Sequence, residues 1–153
     1  MNINTIYPQD YHELEQLGKT CLPIYFNYQD LIYCDMFQNN TIMLKASINS
    51  LSKQETKIIG LMFCVEEKDL IHINSFCVDE SHRKKGCGAK LINKIKQYGK
   101  KITLNVLETN TTAIRFYEKH GFKLVEVKKN YYRELNNSKN DAYFYCFIPS
   151  VQK

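Results

Sequence analysis

From Leu70 to Gly99 the chain passes from an apolar run, through a basic turn, into an amphipathic segment, with two glycines at the junction. Leu70 to Val78 is rich in β-branched and aromatic residues, as a strand requires. Its alternation puts Ile71, Ile73, Ser75 and Cys77 on one face and His72, Asn74, Phe76 and Val78 on the other. After Gly86-Cys87-Gly88, the residues Ala89, Leu91, Ile92 and Ile95 recur at helical spacing, and Gly99 suits the end of that helix. A strand that feeds a glycine turn and then a helix collects unpaired backbone N–H groups at one point. Those donors and the helix dipole favour an anion, above all a phosphate. Gly86 and Gly88 let the backbone approach a ligand closely. Arg83, Lys84 and Lys85 add positive charge beside it. The turn is not a P-loop, because no Gly-Lys-Ser/Thr follows, and it lacks the third glycine of a dinucleotide fingerprint. A plain surface loop with a solvated basic run has the same composition, so the turn alone leaves both readings open.

The remaining chain reads as one mixed α/β domain without repeats or a second-domain boundary. Ile3 to Tyr7 suits an edge strand, and Pro8 and Asp10 turn the chain into a helix with Tyr11, Leu14 and Leu17 on one stripe and Gly18 near its end. Pro23 interrupts that pattern. A second helix or turn region is expected through Leu31-Ile32-Tyr33 and Met36-Phe37. The polar stretch from Lys45 to Lys57 reads as a loop or a loosely ordered strand connection. Lys57 to Val65 is a strand, joined to Leu70–Val78 through the short polar turn Glu66-Glu67-Lys68-Asp69. Ile102 to Leu107 is a further strand. Asn110 opens a helix with Ala113, Ile114, Phe116 and Tyr117 as its apolar surface, and Gly121 ends it. Strands at Phe122–Val127 and Ala142–Ile148 follow, separated by the polar run at 136–141.

Composition narrows the function classes. The 153 residues suffice to bury a core, and 44% apolar content is ordinary for a soluble domain. A net charge of +5 favours an anionic partner without naming one. The basic residues are dispersed and do not alternate with aromatics, which argues against nucleic acid as the main partner. The six cysteines show no C-x-x-C spacing, so no metal is expected, and several lie in apolar runs as buried thiols do. That suits a reducing compartment. The first residues lack the basic and apolar regions of a signal peptide, and no apolar run reaches membrane-spanning length. The expected setting is cytoplasmic, with the nucleus also open, and without a membrane partner.

Arg83-Lys84-Lys85-Gly86-Cys87-Gly88 resembles the Gln/Arg-x-x-Gly-x-Gly/Ala signature of the GCN5-related N-acetyltransferase (GNAT) superfamily. A second stretch, Asn110-Thr111-Thr112-Ala113-Ile114-Arg115-Phe116-Tyr117-Glu118-Lys119-His120-Gly121-Phe122, resembles that family's Asn followed by Ala-x-x-Phe-Tyr-x-x-x-Gly-Phe. The resemblance implies a single acetyltransferase domain over 1–153, with a cofactor-binding core at about 57–148 and a central mixed twisted sheet flanked by helices. It implies acetyl-CoA as donor. Its pyrophosphate would lie on the turn formed by Arg83, Lys84, Lys85, Gly86, Cys87, Gly88 and Ala89, and its pantetheine arm along the backbone of Phe76, Cys77 and Val78. Asn110 and Tyr117 would lie near the thiol end, with Tyr117 protonating the departing sulfur. Cys77 and Cys87 read as packing and loop residues rather than nucleophiles.

Two further segments resemble the protein N-terminal acetyltransferases of the NatE catalytic-subunit type. Val127-Lys128-Lys129-Asn130-Tyr131-Tyr132 is similar to that group's Lys-Lys-Asn-Tyr-Tyr, and Leu22-Pro23-Ile24 to its Phe-Pro-Val. By this resemblance Leu22, Pro23, Ile24, Phe26, Asn74, Tyr131, Tyr132 and Leu135 hold the acceptor, a protein N-terminus beginning with Met and an apolar residue. Other subunits of an N-terminal acetyltransferase assembly at the ribosome are implied partners. The chain departs from the group where its bases stand: His72 replaces a tyrosine and Asn105 a histidine. An α-ammonium has a pKa near 8, so a base has little to do, and a histidine is suited to it near neutral pH. His72 is the expected base, acting directly or through a water, with Asn105 holding water or a peptide group. A structural role on the strand face is the competing reading of His72. His120 reads as a helix-end residue, and His12 and His82 as surface residues. The alternative functions are acetylation of lysine side chains or small amines, and a weakly active acetyl-CoA-binding partner subunit.

Overall fold

The computed structural model describes residues 1–22, 39–49, 55–133 and 139–150. Strands β1 (Asn2–Thr5), β2 (Thr41–Asn49), β3 (Thr56–Glu66), β4 (Leu70–Val78), β5 (Lys101–Leu107), β6 (Lys123–Lys128) and β7 (Ala142–Phe147) form one sheet. Their spatial order is β1-β2-β3-β4-β5-β7-β6. Every neighbouring pair is antiparallel except β4 and β5. Among the described residues three α-helices pack on it: α1 (Tyr11–Cys21), α2 (Cys87–Lys96) and α3 (Thr111–Lys119). The mixed sheet with flanking helices is the fold class the sequence implied.

Each helix follows from its apolar stripe. Tyr11, Leu14 and Leu17 bury against Ile58, Leu61 and Cys77 on one side of the sheet. Leu91, Ile92 and Ile95 of α2, with Ala113, Ile114, Phe116 and Tyr117 of α3, cover the other side over Ile71, Ile73, Ile102, Leu104 and Val106. Burying a leucine or isoleucine contributes about 1.5–3 kcal/mol, so these stripes dominate the packing. Polar contacts fix where α1 lies. The buried Asp10 carboxylate accepts the Tyr7 N–H at 2.8 Å and ion-pairs with Lys45 at 2.6 Å, and Glu13 accepts the Ile58 N–H at 2.6 Å.

Two expectations need correction. Lys45–Asn49 is the second half of β2, and Thr56 and Lys57 open β3, so only 50–54 of the polar stretch lies outside the described residues. Lys45 pairs with Asp10, and the buried Ser47 lies opposite Ile58 beside a register shift that leaves Ile59 as an extra residue of β3. The second correction concerns β4. Phe63 opposes Ser75 and Cys64 opposes Ile73, which leaves Asn74 as an unpaired extra residue. Such a bulge reverses the alternation beyond it. Ile71, Ile73, Phe76 and Val78 therefore share the α2 side, and Cys77 lies on the α1 side. The expected region at 31–37 falls outside the described residues. No helix among the described residues is long and apolar enough to cross a membrane.

Candidate active site

β4 and β5 pair only between Leu70–Ile73 and Lys101–Leu104. Both strands then continue, held by their outer neighbours: Phe76, Cys77 and Val78 by β3, and Asn105, Val106 and Leu107 by β7. The facing edges beyond Ile73 and Leu104 have no ladder between them. The bulge at Asn74 sits where they part, as expected of a feature that kinks and twists a strand. Backbone N–H and C=O groups along such an opened edge need partners, and an extended ligand can supply them. The Val78 carbonyl is already engaged: Arg83 Nε donates to it at 3.0 Å and the Cys21 thiol at 3.8 Å.

At the far end of β4 the chain turns through a short 3-10 segment, Glu80–His82, into α2. Lys84 and Gly86 have φ of 60° and 83°, left-handed values that only the glycine adopts without cost. No side chain caps α2, whose first-turn amides at Cys87, Gly88 and Ala89 stay open to a ligand. A Cβ at Gly88 would lie 3.1 Å from the Phe116 ring and 3.4 Å from that of Phe76, so this glycine permits close helix packing as well. Lys85 Nζ donates to the Ser81 carbonyl at 3.0 Å, which fixes the turn from within. His82 is not simply a surface residue. Its Nδ1 lies 2.6 Å from Asp79, whose carboxyl is held down to about 2 by hydrogen bonds from Ser81 and His82. His12 is exposed, and His120 closes the end of α3 with its ring on the Phe116 carbonyl.

The other expected residues gather beside the splay. Ile102, Leu104 and Val106 point into the α2 side, so Thr103 and Asn105 project to the opposite face. There His72 Nδ1 lies 2.8 Å from Thr103 Oγ1. Burial lowers the His72 pKa, Lys128 lowers it further, and Glu67 partly offsets both. Asn105 Nδ2 lies 3.5 Å from the Tyr131 hydroxyl, while its buried Oδ1 has no hydrogen-bond partner among the described residues. Tyr131 and Tyr132 pack edge to face at 5.0 Å, and burial holds the Tyr132 hydroxyl up at about 12. The Lys128 ammonium rests over the Phe144 ring at 4.3 Å. Asn74 is exposed on its bulge.

Tyr117 is buried among Phe76, Phe116 and Phe122, with ring centroids at 6.2, 5.5 and 5.6 Å. Burial raises its pKa strongly, so it keeps its proton. The Asn110 side chain caps α3 by accepting the Ala113 N–H at 3.2 Å. Cys77 and Cys87 are buried thiols with raised pKa values, that of Cys87 up to about 11, and neither is an available nucleophile. No group of His, Cys, Asp or Glu suited to a metal occurs among the described residues. Leu22 packs at the end of α1. Pro23, Ile24, Phe26 and Leu135 lie outside the described residues. Thr103 and Lys128 were not singled out from sequence as site residues. The available signal for Thr103 was a hydroxyl two positions from Asn105 in an otherwise apolar strand.

An opened parallel pair beside an uncapped, basic helix N-terminus can seat a long anionic ligand, with titratable side chains on the neighbouring face. Residues 49–124 match the acetyltransferase (GNAT) domain family. The chain belongs to the GNAT acetyltransferases. It is an acetyl-CoA-dependent N-acetyltransferase. Among its relatives, N-alpha-acetyltransferase 50 of Danio rerio is 25% identical over 145 residues, covering 88% of this chain and 82% of that protein. The [ribosomal protein bS18]-alanine N-acetyltransferase of Haemophilus ducreyi is 24% identical over 148 residues, covering 92% and 94%. The crystal structure of Arabidopsis thaliana NAA60 with a bisubstrate analogue superposes with a TM-score of 0.83 at 22% identity, covering 95% of this chain and 96% of that one.

Proposed function

We propose that this enzyme acetylates the α-amino group of protein N-termini, with Met followed by an apolar residue as the preferred start. The observation that carries the reading is the grouping of His72, Asn105 and Tyr131 on one face beside the opened β4/β5 edges. Among the described residues the acceptor face carries the paired Tyr131 and Tyr132 rings rather than a carboxylate cluster, which disfavours polyamines. A lysine side chain, with a pKa near 10.4, asks more of a base than an α-amine does. The D. rerio relative, by its name an α-amine acetyltransferase, supports the same class.

Acetyl-CoA, when bound, supplies the thioester carbonyl that the amine attacks. The amides of Cys87, Gly88 and Ala89, with Arg83, Lys84, Lys85 and Gly86, are suited to its pyrophosphate. The open edge of Phe76, Cys77 and Val78 is suited to its arm and to a carbonyl oxygen that gains charge. His72 takes the proton from the α-ammonium, and its lowered pKa keeps it in the accepting form at neutral pH. Asn105 Oδ1, an acceptor without a partner among the described residues, receives an N–H of the incoming amine's chain or an O–H of a water. Tyr117 keeps a proton to give to sulfur. Holding two substrates in register supplies much of the rate effect without a covalent enzyme intermediate. The unpaired thiols of Cys21, Cys64, Cys77, Cys87 and Cys146 suit a reducing, cytoplasmic setting.

The test measures CoA release with acetyl-CoA and a panel of peptides and amines. Fast turnover of Met-Leu peptides is expected, with Ala-starting peptides, internal lysines and spermidine slower. Turnover confined to polyamines or internal lysines overturns the reading. Acetyl-CoA binding with no turnover of any acceptor supports a partner-subunit role instead.

A further inference from the structure

The ladder that ends at the splay contains one polar pair. His72 of β4 and Thr103 of β5 are register partners, and their side chains meet at 2.8 Å on the α1 face. Thr103 is 3% exposed. A β-branched side chain on a strand has little χ1 freedom, so its hydroxyl is a fixed feature of the site. We infer that Thr103 is a positioning residue for His72: its oxygen accepts the Nδ1 hydrogen, leaving the Nε2 lone pair to take the acceptor's proton. The inference rests on the reading of His72 as the base.

The nitrogen that carries the hydrogen decides whether the ring can act as a base. A neutral imidazole has one donor and one acceptor nitrogen, whereas a hydroxyl can play either part. If Thr103 donated to Nδ1, the hydrogen would sit on Nε2 and the ring would offer no free lone pair. If Nδ1 donates to Thr103, Nε2 is free. Protonation of Nε2 then gives an imidazolium with the Thr103 bond unchanged, so the proton moves without rearranging the strand pair. The hydrogen bond partner of a histidine commonly sets its tautomer in this way. Among the described residues the charged groups acting on the ring are Lys128, from β6, and Glu67, from the β3–β4 turn. Val65, its partner on β3, is apolar.

The deciding experiment is a two-bond 1H–15N spectrum of the His72 imidazole in the wild-type enzyme, with Thr103→Val and Thr103→Ser alongside. Hydrogen on Nδ1 is expected in the neutral wild-type ring. Thr103→Val, which keeps the shape, should lose that tautomer preference. Its kcat should fall about tenfold, the scale of losing an outer partner of a functional histidine, with the KM for acetyl-CoA unchanged. The acid limb of its pH–rate profile should move to lower pH, because the imidazolium loses an acceptor. Thr103→Ser should restore all three. A wild-type ring protonated on Nε2 overturns the inference, whether or not Thr103→Val folds. So does a Thr103→Val profile identical to wild type. If His72→Ala retains full turnover while the ring shows hydrogen on Nδ1, the base assignment fails and the tautomer assignment stands.

Discussion

His72 shows how a single side chain is tuned by where its strand runs. The ring is half-buried, and desolvation lowers its pKa below the ordinary 6.5, with the nearby Lys128 ammonium acting the same way. The neutral ring is favoured by the fold, so its contribution to stability is present above the unfolded pKa and is lost as pH falls through the folded one. For catalysis, the accepting form persists below pH 6.5. The acid limb of kcat/KM should therefore lie below 6.5 for the wild type and be absent in His72→Ala, whose rate should be lower by about 100-fold if the ring acts as general base. Lys128→Gln should move that limb upward, toward the ordinary histidine value. An acid limb above 6.5, or one that survives His72→Ala, would remove the ring from the base role.

The glycine turn and α2 show what an element adds to its residues. Gly86 and Gly88 look alike in sequence, yet the structure separates them. Gly86 has φ 83° and open space around its Cβ position, whereas Gly88 has Phe116 at 3.1 Å and Phe76 at 3.4 Å. Gly86→Ala should therefore cost about 1–2 kcal/mol of backbone strain. Gly88→Ala should cost about 1–3 kcal/mol through overpacking and displace the Phe76–Phe116–Tyr117 rings. Thermal melts and acetyl-CoA KM measured on both variants test this. Gly88→Ala should lower kcat as well, through Tyr117, and Gly86→Ala should act mainly on KM. The strand–turn–helix unit and the α3 signature were legible because their periodicity and turn residues are local. The Asn74 bulge was not, since it exists only in the register of β4 against β3. That one residue moved Phe76 and Val78 to the opposite face from His72. The second half of β2 was hidden for a related reason: Lys45 and Ser47 read as loop residues until Asp10 pairs with the first and the β2–β3 register sets the second opposite Ile58. Thr103 became a site residue only when the parallel ladder set it opposite His72.

On the scale of the whole molecule, the sheet is two blocks joined by a short seam. One block is β1 to β4 with α1 pinned beneath it, and the other is β5, β7 and β6. Among the described residues they share within the sheet only the four-residue parallel ladder from Leu70–Ile73 to Lys101–Leu104, and above it α2 and α3 close one common core. Parallel pairing is slightly weaker per residue than antiparallel, so the seam is the natural place for local opening. A donor seated between the diverging edges would bridge both blocks and supply the missing ladder. Binding to the folded state alone adds stability by linkage. At about 100 times the Kd, acetyl-CoA should contribute about 2.7 kcal/mol, which in a domain of this size raises Tm by about 5–10 °C. The location of the effect separates this account from binding elsewhere. Amide exchange should slow most at 74–78, at 105–107 and in the first turn of α2, and little on β1 or β6. Because the seat is basic in a chain of net charge +5, the Tm shift at fixed ligand concentration should shrink as salt rises. Protection spread evenly over the sheet, or a shift indifferent to salt, would mean that the donor does not lie across the seam.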